Sequence, residues 1–234
     1  GGAGANPARQ ASVCAGLPYE VPSMTVNKLC GSGLKTIGLA AQTLRAGEAE
    51  VVLAGGMENM SQTPYVMRGA RWGQRLGHGQ IEDLMILDGL WDSFYDCHMG
   101  ITAENLSAEY TISREDQDRF AARSQALWAR AEDRGAFKDE IVPLRVETEG
   151  EEKIFSKDEH PRLGTTAEKL SRLKPAFKKD GTVTPGNASG INDGAAALLL
   201  MTEEGARARG LTPLAYVRGT ASAGVDPRVM GIGP

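Results

Sequence analysis

The sequence predicts an α/β domain interrupted by a long insertion, and three observations carry that prediction. A strand, a glycine-rich turn, a helix and a second strand follow one another between residues 21 and 54, the pattern of an α/β unit. From Glu58 to about Gly186 the chain becomes richer in charge, loops and isolated helices. From Gly194 the run Gly-Ala-Ala-Ala-Leu-Leu-Leu-Met then restores apolar, strand-like character.

Taken in order, a first helix is placed at residues 8–15 and ended by Gly16 and Pro18. Residues 21–26 read as a short strand with Pro22 at its edge. Over 33–46, Leu34, Ile37, Ala41 and Leu44 form a helical stripe, and Gly47 supplies the stop. Ala-Glu-Val-Val-Leu-Ala at 49–54, bounded by Gly55-Gly56, reads as a buried parallel strand. Within the insertion, Ser113 caps a helix whose first turn holds Glu115 and Asp116. Its apolar face carries Phe120, Leu127 and Ala131, and Gly135 ends it. A short basic helix is expected over 166–173, ended by Pro175, and Lys179-Asp180-Gly181 is a turn. After a buried strand at 194–201, a helix over 202–209 ends at Gly210, and 215–219 is again a strand.

The composition narrows the function classes. With 41% hydrophobic and 24% charged residues, 234 residues suit one large domain or two small ones. The 29 glycines are scattered among apolar runs, which points to tight turns and close backbone approaches rather than disorder. A net charge of −4 argues against general affinity for nucleic acid or an anionic membrane. Cys14, Cys30 and Cys97 form no disulfide-like framework, so free thiols in a reducing, cytoplasmic setting are expected. Zinc is a poor reading, because Cys97-His98 lacks a second ligand pair at useful spacing. No apolar stretch has the length of a bilayer span. The opening loop Gly1-Gly2-Ala3-Gly4 and the closing turn Met230-Gly231-Ile232-Gly233-Pro234 both read as cut ends.

Asn27-Lys28-Leu29-Cys30-Gly31-Ser32-Gly33 falls where a strand hands over to a helix. A sharp turn there exposes a side chain, and the glycines let a substrate approach the backbone. The free amides and dipole of a helix N-terminus stabilise a thiolate. The same local pattern equally fits a small buried cysteine in a glycine-rich turn.

Four segments carry a resemblance to a known family. They are Val26-Asn27-Lys28-Leu29-Cys30-Gly31-Ser32-Gly33, Ala54-Gly55-Gly56-Met57-Glu58-Asn59-Met60-Ser61, His98-Met99-Gly100-Ile101-Thr102-Ala103-Glu104-Asn105 and Gly186-Asn187-Ala188-Ser189-Gly190-Ile191-Asn192-Asp193-Gly194. In that order, they resemble the signatures of thiolases. The resemblance implies a layered αβαβα fold with a loop domain inserted in the first half. Residues 1–57 and 187–210 would then belong to the N-terminal half, 58–186 to the loop domain, and 211–234 to the start of the C-terminal half.

The same resemblance implies that Cys30 accepts an acyl group from an acyl-CoA thioester. A second cysteine would deprotonate acetyl-CoA, and the carbanion would attack the acyl-enzyme. That cysteine, a histidine in a Gly-His-Pro segment and an Asn-Glu-Ala-Phe segment lie, in the family, after the point where this stretch stops, so the stretch alone is expected to be inactive. Ser189 and Phe177 would line the pantetheine channel, with Leu90, His98 and Met99 close by and Arg162 near the nucleotide end. Plainer accounts of these residues are a turn-forming serine, a core phenylalanine, a leucine near a helix and a structural imidazole. Arg68, Arg71 and Arg75 around Trp72 form either a solvated loop or one that steers the coenzyme's phosphates or packs in an oligomer. Coenzyme A is expected as substrate rather than as a tightly bound cofactor. The expected partners are acetyl-CoA, acetoacetyl-CoA and further copies of the chain, as dimer or tetramer.

His98-Met99 favours the acetyl-CoA acetyltransferase type. The segment around Trp91 and residues 125–135 resemble the longer-chain 3-ketoacyl-CoA thiolases too. A truncated, non-catalytic coenzyme A-binding product is a further alternative. A ketoacyl-synthase-like protein would not be expected to carry the Asn-Ala-Ser-Gly-Ile-Asn-Asp-Gly segment.

Overall fold

The computed structural model describes residues 2–148 and 150–234; Gly1, in the opening loop, and Glu149 lie outside the described residues. Along the chain come α1 (Pro7–Cys14), α2 (Ser32–Arg45), β1 (Val51–Asn59), α3 (Met99–Glu109) and α4 (Arg114–Asp133). The hairpin β2 (Leu144–Thr148) and β3 (Glu151–Phe155), then α5 (Ala167–Ser171), β4 (Asp193–Met201) and α6 (Glu203–Ala208) follow. Helix starts obey local chemistry. Ser113, Thr166 and Thr202 each accept the backbone N–H three residues on, from Asp116, Lys169 and Gly205.

The chain divides into two compact units. The first comprises residues 1–96, 191–225 and 232–234, and the second comprises 97–190 and 226–231.

In the first unit α2 lies on a sheet of β1 and β4, which pair in register from Val51↔Met201 to Asn59↔Asp193. The pairing is antiparallel, whereas the sequence suggested a parallel strand. A long excursion separates the two strands, so no short helical crossover forces them to run the same way. Burial is also lighter than expected. Ala54 is buried, but Leu53, Leu198 and Leu199 are more than half exposed, because among the described residues this sheet has two strands and one helix-covered face. On α2 the buried positions are Gly38, Ala40 and Ala41, while Leu34 is 77% exposed. Small residues let neighbours approach closely here: a Cβ on Gly38 would stand 3.1 Å from Thr220 Cγ2.

Residues 21–26 and 215–219 are irregular rather than strands. Their backbone groups are met by side chains instead of a ladder. Arg9 donates to Val21 O, and Asn6 Nδ2 donates to Ser23 O. Arg45 donates to Val217 O.

The second unit packs α3, α4 and α5 around a core that mixes Leu170, Val183 and Val229 with buried Thr102, Glu104, Asp118 and Thr184. Phe120, expected on the inner face of α4, is 69% exposed. The helix instead turns Asp118 inward, where Arg114 Nε and Asn187 Nδ2 both donate to it. Arg114 also donates to Leu170 O and Leu173 O, supplying partners to carbonyls at the end of α5.

Candidate active site

Cys30 stands, exposed, immediately before the N-terminus of the 14-residue helix α2. The turn that presents it is tightly tied. Ser32 Oγ accepts the Lys28 N–H and donates to Leu29 O, both at 2.7 Å. Asn27 Oδ1 accepts the Leu29 N–H at 3.0 Å. Leu29 itself is left-handed, with φ 49°, which costs an L-residue with a Cβ about 1–2 kcal/mol. A strained residue beside a candidate nucleophile fits a turn held for what it presents. Gly31 gives α2 no side-chain cap, and the N–H groups of a first helical turn have no intrahelical partners. Below the turn, α2 meets β1 through glycines: a Cβ on Gly56 would lie 2.9 Å from Gly33 Cα. Thr36 Oγ1 donates across the same contact to Gly55 O.

In the second unit His98 caps α3. Its Nδ1 accepts the Gly100 N–H at 3.0 Å, and its ring stacks on Phe177 with centroids 4.7 Å apart. Burial lowers the His98 pKa below its ordinary value, which keeps the imidazole neutral and Nδ1 free to accept. Gly100 makes room for the stack, since a Cβ there would fall 2.3 Å from the Phe177 ring. Met99 follows His98, half-buried.

Phe177 and Ser189 flank a segment anchored from α3 and α4. Glu104 accepts the N–H groups of Thr182 and Val183 and the Thr182 hydroxyl. Asn187 bridges Asp118, Thr182 O and the Thr184 N–H. Ser189 lies exposed just beyond. Arg162 is exposed on the rim of an open groove of about 520 Å³, lined also by Gly164, Thr165, Lys169 and Leu173. Gln125 Oε1 accepts its backbone N–H, and Lys169 Nζ donates to Gly164 O.

The structure therefore brings His98 and Phe177 into contact, and places Met99, Arg162 and Ser189 in the same unit. Cys30 and Leu90 belong to the first unit; Leu90, half-buried, closes a single π turn over Ile86–Leu90. In the basic loop, Arg68 pairs with Glu82, and Trp72 is 86% exposed. Sequence reasoning passed over Glu104, Asp118 and Arg114. The available signal was weak: a lone carboxylate in α3 and one among the charges of α4 look like solvated residues until burial is known.

Residues 1–204 match the thiolase N-terminal domain. The chain belongs to the thiolase family. This thiolase chain is 60% identical over all 234 residues to the acetyl-CoA acetyltransferase of Pseudomonas aeruginosa, covering 60% of that protein. It is 51% identical to the Bacillus anthracis acetyl-CoA acetyltransferase, whose crystal structure superposes with a TM-score of 0.94 over 98% of this chain and 58% of that one. Human mitochondrial 3-ketoacyl-CoA thiolase, crystallised in complex with CoA, is 44% identical with a TM-score of 0.90, over 97% of this chain and 56% of that one. The chain thus spans about 60% of the length of the curated relatives it matches.

Proposed function

We propose that this chain is the acyl-accepting part of an acetyl-CoA C-acetyltransferase, which reversibly condenses two acetyl-CoA into acetoacetyl-CoA through an acyl-Cys30 intermediate. The observation that carries the reading is the Cys30 turn, an exposed thiol held by Ser32 and Asn27 at the mouth of an uncapped helix. A thiolate there attacks the thioester carbonyl, a new Sγ–C bond forms, and coenzyme A leaves as its thiolate to be protonated. The Gly31 and Ser32 N–H groups already donate to Lys28 O and Leu29 O, so it is the N–H groups just beyond Ser32 in the first turn of α2 that offer a place for the oxyanion charge that develops. The names and identities of the relatives support the acetyl-transferring type.

In this reading His98, Met99, Phe177, Ser189 and Leu90 face the pantetheine arm and Arg162 the nucleotide. Residues 58–186 form the inserted loop domain of the layered fold, and 211–234 open its second half. Coenzyme A thioesters are substrates, no cofactor is tightly bound, and the full-length protein is a cytoplasmic homo-oligomer.

The second reading, a 3-ketoacyl-CoA thiolase acting on longer chains, draws on the human mitochondrial relative's 44% identity. Thiolysis rates of the full-length protein on acetoacetyl-CoA and on a long-chain ketoacyl-CoA separate the two. The acetyltransferase reading expects clear preference for acetoacetyl-CoA and none of either activity in Cys30→Ala. Preference for the long chain would favour the second reading.

A further inference from the structure

Helix α3 carries two features with different jobs. At its N-terminus His98 stacks on Phe177. Its sixth residue, Glu104, is only 5% exposed. Burying a carboxylate is costly unless hydrogen bonds satisfy it, and Glu104 is satisfied in one direction. Its Oε1 accepts the N–H groups of Thr182 and Val183 at 2.8 Å each, while Oε2 accepts the Thr182 N–H at 2.9 Å and hydroxyl at 3.1 Å. The Thr182 hydroxyl is drawn further into the knot by Gln117 Nε2 and Ser107 Oγ. Gly181 fits this arrangement closely, because a Cβ there would lie 2.4 Å from Glu104 Oε1.

We infer that Glu104 is a positioning residue for coenzyme recognition. It fixes residues 181–184 to α3 and so sets where Phe177, before that segment, and Ser189, after it, stand relative to His98. Two observations favour this over a purely structural carboxylate. The accepted groups all belong to the one segment that joins Phe177 to Ser189. The helix that supplies the carboxylate is the one His98 caps. The inference rests on the coenzyme A reading above, and its test separates failure of the one from failure of the other.

The experiment uses the full-length protein, with coenzyme A itself as probe. Glu104→Gln keeps the shape and one acceptor oxygen; Thr182→Val removes the hydroxyl and leaves both amide bonds. For Glu104→Gln, KM for acetyl-CoA and Kd for coenzyme A should rise about tenfold, the scale of one charged hydrogen bond. In this variant kcat and the iodoacetamide modification rate of Cys30 in the free enzyme should stay within about twofold. Thr182→Val should move KM and Kd the same way by about threefold. A fall in kcat and melting temperature with KM and Kd unchanged, in either variant, would make the role merely structural and overturn the inference. Phe177→Ala supplies the separate control on the reading. Unchanged coenzyme A affinity in that variant would sink the coenzyme assignment and the inference together, whatever Glu104→Gln does.

Discussion

The glycine contact beneath the candidate nucleophile gives an asymmetric prediction. Gly33, in the first turn of α2, and Gly56, in β1, face each other backbone to backbone. A Cβ on Gly56 would meet Gly33 Cα at 2.9 Å and Gly33 N at 3.5 Å, whereas a Cβ on Gly33 would meet Gly56 Cα at an ordinary 3.6 Å. No flexible side chain can yield in the first case, so Gly56→Ala must push α2 off the strand or bend it. Overpacking of this kind costs about 1–3 kcal/mol. Gly33→Ala meets only a van der Waals contact and gains helix propensity, so it should stay within about 1 kcal/mol of wild type. Cys30 precedes the same helix turn, and the displacement should reach it. Urea unfolding of both variants in the full-length protein, with the iodoacetamide rate at Cys30, measures both effects. The reasoning fails if Gly56→Ala is as stable and as reactive as wild type, or if Gly33→Ala is the more damaging change.

Two further predictions concern the second unit. Because burial lowers the His98 pKa, its contribution to stability is present above about pH 6.5, the ordinary imidazole value, and is lost as pH falls through the lower folded value. Protonated Nδ1 can no longer accept the Gly100 N–H. The stability difference between wild type and His98→Asn, followed by denaturation from pH 7.5 down to 5, should therefore shrink; a constant difference would refute the shift. Arg162→Ala should weaken whole coenzyme A by about 1–2 kcal/mol, the scale of a hydrogen bond to a charged group, while leaving a pantetheine analogue without the nucleotide unaffected. Calorimetric titration of both ligands checks this, and equal losses would place Arg162 away from the nucleotide.

Much of the local structure was legible because it is written in local chemistry. Ser113 announces its helix by a capping hydroxyl, and Gly47, Gly135 and Gly210 end three helices with φ between 66° and 72°. The strands at 51–59 and 193–201 were visible as the apolar runs 49–54 and 194–201, although Gly55-Gly56, read as the end of the first, lies inside it. Their antiparallel pairing was not, since direction is set by a partner more than a hundred residues away. Residues 21–26 have the look of a strand, but Arg9 and Asn6 hold their carbonyls. Such competition between side chains and a ladder is invisible to pattern reasoning. At the candidate site, the glycines and the helix start made Cys30 a candidate, and the resemblance of four segments to thiolase signatures chose between a nucleophile and a buried cysteine. Glu104 and Asp118 were not, because a buried charge and an exposed one have the same letter.

In the proposed reaction Cys30 takes the acyl group, and one measurement tests that most directly. The full-length protein is mixed briefly with acetyl-CoA, quenched in acid, digested and mapped by mass spectrometry. The acetyl group should sit on the peptide containing Cys30, disappear when excess coenzyme A is added before quenching, and be absent in Cys30→Ala. An acetyl group on Cys14 or Cys97 instead, or persistence of the label in Cys30→Ala, would contradict the account.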